Sequence, residues 1–243
     1  MQKTNGMSNE TKKDRVRRMF NAIAHQYDFL NHFLSLGIDY RWRKKAIRQL
    51  TNDCPLTVLD VATGTADVAI MAAKQYPDCS VTGIDISEKM LEIGRQKIRR
   101  KGLSNRIALQ LADSEKMPFA DNSFDAVISA FGVRNFENLE KGLTEMFRVL
   151  KPQGKIVILE FSQPTLSPFR QIYHFYFHKI LPHIGKTVSH DDKAYSYLPE
   201  SVAAFPYGHD FLNCLTNVGF SDCKHFPLTL GIATIYVGTK TKF

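Results

Sequence analysis

Five apolar runs, separated by helix-like segments or turns, dominate the chain after Pro55: "LTVLDV" (56–61), "SVTGIDI" (80–86), "RIALQLAD" (106–113), "FDAVISAFG" (124–132) and "KIVILEFS" (155–162). Helical patterns fill 66–75, 87–102 and 137–150 between them. Such alternation predicts a mostly parallel, doubly wound α/β sheet with helices on both faces, because parallel neighbours need a crossover. Ser87 before Glu88 reads as an N-cap, and Gly102 as the stop of the same helix. The stretch 163–206 is long, aromatic and Pro-containing; it breaks the rhythm and reads as a lid insertion. Helix 208–218 follows, and "FSDCKHF" with "GIATIYVGTK" then reads as a closing hairpin. That gives seven strands, at least one of them antiparallel. Ahead of the sheet, Val16, Met19, Phe20, Ile23, Tyr27, Leu30 and Leu34 recur at helical spacing over 12–34, and a second helix is expected around 40–50. The expected organisation is a helical cap over 1–50 and one catalytic domain over 51–243.

The loop "VLDVATGTADVAI" (58–70) joins a buried strand to a helix through an acid and small residues. A dinucleotide fingerprint wants G-x-G-x-x-G, and the corresponding positions are Ala62, Gly64 and Asp67. A carboxylate where a pyrophosphate and close helix packing belong argues against NAD. S-adenosylmethionine carries no phosphate and needs only close backbone approach, which Asp60, Ala62, Gly64, Thr65 and Ala66 provide. Asp85 ends the next strand, placed to accept from both ribose hydroxyls, and Asp113 with Ser114 ends the third, beside the adenine. Three strand ends in register are far more specific than the loop alone. The expected cofactor-binding residues are therefore Asp60, Gly64, Thr65, Asp85, Asp113 and Ser114.

Composition narrows the setting. With 243 residues, 44% apolar and 23% charged, the chain has the makeup of an ordinary globular protein. The net charge of +8 is concentrated at one end: the first 50 residues hold eleven Lys or Arg and four Asp or Glu. Such a segment can face water, anionic lipid or nucleic acid. Cys54, Cys79, Cys214 and Cys223 form no Cys-x-x-Cys pair and read as reduced thiols of a cytoplasmic protein. The N-terminal stretch has no signal-peptide core, so any membrane association is expected to be peripheral.

Two long segments resemble the ubiquinone/menaquinone biosynthesis C-methyltransferases. "MFNAIAHQYDFLNHFLSLGIDYRWRK" (19–44) is similar to the family's N-terminal signature, and "FRVLKPQGKIVILEFSQP" (147–164) to its second one. "SFDAVISAFGVRN" (123–135) and "DDKAYSYLPESV" (191–202) also look like family segments. Thr63, Ala66 and Gln153 stand where the family usually has glycine, and Ala130 where it often has serine. The resemblance implies a class I, Rossmann-like S-adenosylmethionine-dependent methyltransferase. Its reaction would be C-methylation of a demethylated prenyl-quinol, demethylmenaquinol first, with the ubiquinone-pathway methoxy-quinol or both substrates as the alternative. It also admits a homodimer or a complex of quinone-pathway enzymes.

Carbon methylation of a quinol needs the neighbouring hydroxyl to lose its proton. "VISAFGVRN" (127–135) ends an apolar strand in Arg134 and Asn135, at the sheet edge where ligands of open α/β folds bind. Arg134 keeps its proton and could stabilise a developing oxyanion or place a water; Asn135 could orient the hydroxyl. The plainer alternative is that Arg134 pairs with Glu137 and Asn135 caps the following helix. Gly132 is expected to let the chain pass close to bound ligands. Tyr197, with His190, Asp191 and Asp192 nearby, is a candidate for quinol contact. "PFRQIYHFYFHKILPHI" (168–184) could house a prenyl tail or touch a bilayer. His174 and His178 stand one turn apart, but no metal is expected, since methyl transfer needs none. An RNA methyltransferase would bring an added RNA-binding module or a catalytic Cys motif, so no nucleic-acid partner is expected. A non-catalytic lipid-binding scaffold on the same fold is the remaining rival.

Overall fold

The computed structural model describes residues 10–35, 37–50, 57–164, 167, 170–171 and 192–241, the side chains of 28–34 and 192–196 excepted. Seven strands form one sheet: β1 (Thr57–Val61), β2 (Ser80–Asp85), β3 (Ile107–Leu111), β4 (Phe124–Ala130), β5 (Leu150–Phe161), β6 (Phe220–Leu228) and β7 (Ala233–Lys240). Their order is β3-β2-β1-β4-β5-β7-β6, with β7 alone reversed between β5 and β6. The expected closing hairpin is therefore the β6–β7 pair. The order turns back on itself between β1 and β4, and the crevice outside the carboxyl ends of those two strands is where such sheets bind ligands.

Alternate residues of each strand serve opposite cores. Val58, Ala126, Ile128, Val157 and Leu159 pack with α2 (Ile38–Ile47), α3 (Asp67–Gln75) and Ile98 of α4 (Glu88–Arg100). Leu59, Val127, Ile156 and Ile158 pack on the other face with α5 (Leu139–Val149) and α7 (His209–Val218), beyond α6 (Asp192–Ala204) in the chain. Apolar residues on both faces are what a parallel sheet requires, so these strands read as continuous apolar runs. Ser87 caps α4 by accepting from the Met90 N–H, as its position foretold. Helix α5 is capped by Asn138, which accepts from the Lys141 N–H, and not by Asn135.

Helix α1 (Lys12–Leu34) crosses the carboxyl edge of the sheet and contacts α4 and α2. Trp42 of α2 packs against Phe131 and Phe161 and donates its indole N–H to Thr229 Oγ1 at 2.8 Å. This places α2 over the ends of β4 and β5. No helix among the described residues is long and apolar enough to cross a membrane. Most of the expected lid, including His174, His178, His190 and Asp191, lies outside the described residues, as does the Asp192 side chain.

Strand β5 begins at Leu150, five residues before its apolar run, and bends at Gln153, whose φ is +67°. The left-handed region costs an L-residue about 1–2 kcal/mol, and glycine avoids that cost at the expense of a more mobile unfolded chain. Gln153 is exposed, so little packing is lost with its side chain. Gln153→Gly is expected to raise unfolding stability by about 0.5–1 kcal/mol in urea titration; a loss would show that the strain argument fails.

Candidate functional site

A cleft of about 630 Å³, its open mouth included, lies at the β1/β4 turning point. Its floor comes from strand ends: Ala62 and Gly64 after β1, Asp85 of β2 with Ile86 after it, Asp113 and Ser114 after β3, Phe131 and Gly132 after β4. Its roof is α1, which contributes Lys13, Val16, Phe20 and Tyr27.

Gly64 sits at φ +56°, and its N–H donates to Asp85 Oδ2 at 2.9 Å. A β-carbon there would reach toward Tyr27 and Met90, 3.8 and 3.9 Å away, across the space a ligand needs. Asp85 Oδ1 accepts from the Ser87 N–H at 2.8 Å. Burial pushes the Asp85 carboxyl up to about 6, against the pull of these backbone donors. Asp113 Oδ1 accepts from the Glu115 N–H, and its Oδ2 receives Lys13 Nζ at 2.7 Å. Lys12 donates to the carbonyls of Arg134 and Phe136, at 3.1 and 2.5 Å. Two successive lysines therefore tie the roof helix to the ends of β3 and β4.

Two expected cofactor contacts face elsewhere. Asp60 turns its carboxyl inward: Oδ2 accepts from Thr63 Oγ1 at 2.6 Å and the Ala69 N–H at 3.1 Å. It does not line the cleft, and burial pushes it up to about 7. It braces the loop instead. Thr65 is buried and accepts from Lys97 Nζ at 3.0 Å, which directs it to α4. Gly132 lines the cleft at an ordinary φ of −107°. An added β-carbon would meet Ala62 Cβ at 2.6 Å and Ser129 Oγ at 2.8 Å, so its lack of a side chain also gives the β1 loop room.

Beyond Gly132 the chain makes a single 3-10 turn, Val133–Asn135. Arg134 pairs neither with Glu137 nor with open solvent. Its Nη1 donates to Glu160 Oε2 at 2.9 Å, to Glu160 Oε1 at 3.2 Å and to the Phe131 carbonyl at 2.5 Å. The Glu160 side chain is wholly buried, and the Arg134 side chain is 7% exposed. Backbone N–H groups of Arg134 and Phe161 also donate to Glu160. Burial pushes the Glu160 carboxyl up while the guanidinium holds it down. Arg134 Nε is buried without a hydrogen-bond partner among the described residues. Asn135 lines the cleft, and its Oδ1 accepts from Tyr197 Oη at 3.0 Å. Burial raises the Tyr197 hydroxyl above its usual range, with Arg134 opposing. Arg134 and Asn135 thus both donate to the Phe131 carbonyl, and Tyr197 joins the cluster through Asn135. Glu160, Lys12 and Lys13 were missed by sequence reasoning. Only Glu160 left a signal, as the lone acid in the apolar run "IVILEF".

The donor set fits S-adenosylmethionine. A desolvated carboxylate and a left-handed glycine meet in the lining of the cleft, and S-adenosylmethionine needs no phosphate cradle. The family model for the ubiE/COQ5 methyltransferase family matches residues 8–240. A "Ubiquinone/menaquinone biosynthesis C-methyltransferase UbiE" of Citrifermentans bemidjiense is 53% identical, over 94% of this chain and 97% of that protein. A "Demethylmenaquinone methyltransferase" of Bacteroides fragilis is 48% identical, over 96% of each chain. Among solved structures, the cyclase SpnF shares the fold with a TM-score of 0.71 at 17% identity, covering 96% of this chain and 98% of that one. Phosphoethanolamine N-methyltransferase 2 of Haemonchus contortus, in complex with S-adenosyl-L-methionine, shares it with a TM-score of 0.69 at 14% identity, covering 96% and 60%. The fold thus hosts more than one chemistry, and the full-length match decides among them: this chain belongs to the ubiE/COQ5 methyltransferase family.

Proposed function

We propose that the protein methylates a ring carbon of a demethylated prenyl-quinol, demethylmenaquinol first, with S-adenosylmethionine as donor. The observation that carries this reading is the end-to-end match to proteins that bear those names. The cleft supports it, with Asp85 and Gly64 on one wall and Asn135, which accepts from Tyr197 Oη, on another.

When bound, the cofactor supplies an electrophilic methyl on its sulfonium. Asp85 holds the ribose, and Gly64 lets the methionyl part lie against the loop. Lys13 and Asp113 hold the end of β3 and the roof together. Asn135 and Tyr197 orient the quinol hydroxyl whose deprotonation makes the ring carbon nucleophilic. Arg134 faces that cluster with its charge already paired to Glu160, so its part is to fix the Phe131–Asn135 turn and to add an oriented positive field. It does not take the proton.

Purified protein given S-adenosylmethionine and demethylmenaquinol is expected to yield menaquinol, one CH2 heavier by mass spectrometry. Methylation of the methoxy-benzoquinol alone would assign the other pathway, and turnover of neither would reject the reading.

The ionised Asp85 is the form that accepts two hydroxyl protons, so affinity for S-adenosylmethionine should fall as pH drops through about 6. Between about pH 8 and about pH 5, Kd by calorimetry is expected to rise about tenfold. Asp85→Asn should weaken binding and flatten the profile, while Asp60→Asn should leave the fall in place, since that carboxyl faces the loop. A flat profile in the unaltered protein contradicts the assignment.

Removing the Arg134 charge would leave Glu160 buried and unpaired, at a cost of about 3–5 kcal/mol, so truncation confuses stability with chemistry. Arg134→Lys keeps the charge but loses the planar fork. It should lower kcat by about 10²-fold or more with cofactor affinity within about threefold. Unchanged kcat would remove Arg134 from the mechanism.

A further inference from the structure

Helix α2 divides its charges between two faces. Asp39, Trp42, Arg43, Ala46 and Ile47 are buried, and there Arg43 pairs with Asp39 at 2.9 Å and with Asp67 at 3.3 Å. The one acid of the helix is thus spent inside. Tyr40, Arg41, Lys44, Lys45 and Arg48 are exposed. At 100° per residue these five fall within an arc of about 140°, opposite the buried set. None of the four cations makes an ion pair or side-chain hydrogen bond among the described residues.

Other surface helices mix their signs or pair them. On α4 Glu88 pairs with Arg95, and on α1 Arg17 pairs with Asp14 while Arg18 pairs with Glu10. The α2 face carries four unpaired positive charges and an aromatic ring that is 53% exposed. Another exposed apolar side chain, Leu230, 54% exposed, follows Thr229, which accepts the Trp42 indole hydrogen bond from the inner face of the same helix. The inner face of the same helix packs on Phe131, which lines the cleft.

We infer that the outer face of α2, formed by Tyr40, Arg41, Lys44, Lys45 and Arg48, is a docking surface for a bilayer with anionic headgroups. Charge complementarity selects the anionic lipid. Each Lys or Arg near such a surface strengthens binding about fivefold, and an aromatic ring with a polar tip suits the headgroup level. Long Lys and Arg stems reach outward without moving the helix. Docking there would set the cleft beside the layer in which a prenyl chain dissolves. The purpose of the surface rests on the prenyl-quinol reading; its charge and exposure do not.

The test is co-sedimentation of the full chain with vesicles of equimolar phosphatidylcholine and phosphatidylglycerol, against vesicles of phosphatidylcholine alone. The protein is expected to bind the anionic vesicles, to release them as salt rises, and to ignore the neutral ones. Neutralising one cation, as in Lys45→Gln, should weaken binding about fivefold, and Arg41→Gln, Lys44→Gln, Lys45→Gln and Arg48→Gln together by more than about 100-fold. Arg17→Gln with Arg18→Gln, on the paired face of α1, should weaken it less than about fivefold. Thermal melting and methylation of a tail-less, water-soluble quinol should match the unaltered protein in every variant. Undiminished vesicle binding by the fourfold variant, no binding by the unaltered protein, or tighter binding to a single-stranded RNA at equal salt would each overturn the proposal. Vesicle binding without quinol methylation would reject the activity and leave the surface standing.

Discussion

The hydrogen bond from the Gly64 N–H to Asp85 Oδ2 joins the two strand ends on which the cleft depends. It holds the β1 loop open in a left-handed turn and favours the ionised form of a carboxylate that burial pushes up to about 6. Asp60 supports the same loop from inside, through Thr63 and Ala69, and Gly132 gives the loop room from the β4 side. Two segments far apart in sequence, the ends of β2 and β4, thus brace one loop together with the acid of its own strand. A loop placed this way needs no phosphate to order it, which separates it from the dinucleotide sites it superficially resembles.

A second constraint sits at the end of β5. Glu160 is wholly buried and paired with an Arg134 side chain that is 7% exposed. Such a pair is a poor source of stability, since apolar replacements of similar volume are often as stable or more so. Its consequence here is geometric: it fixes the turn that presents Asn135, and through Asn135 the Tyr197 hydroxyl. On the proposed reading, the proton leaves the quinol within that cluster, while Arg134 contributes field and position.

Much of this was legible in the sequence because the governing patterns are local. Period, apolar runs, the Ser87 cap and the closing hairpin depend on neighbouring residues, and all reappear in the structure. Asp85 and Gly64 were legible because a strand end and a small residue can face the crevice. Asp60 and Thr65 were not, since the direction of a side chain in a left-handed loop is set by tertiary hydrogen bonds. The partner of Arg134 was not legible for a similar reason: Glu160 is 26 residues away and meets it only across the β4–β5 pair. The lysines of α1 carried no signal that distinguished them from the other basic residues of that end. The positive charge of the first 50 residues was visible as a sum, but only the fold shows that α1 pairs part of its share while α2 leaves one face unpaired.

The central claim is that this chain places a methyl on a ring carbon of a prenyl-quinol. The most direct measurement is mass spectrometry of the quinones in cells from which the protein has been deleted. The account predicts accumulation of demethylmenaquinone at the expense of menaquinone, restored by the unaltered protein. An unchanged quinone profile would contradict it.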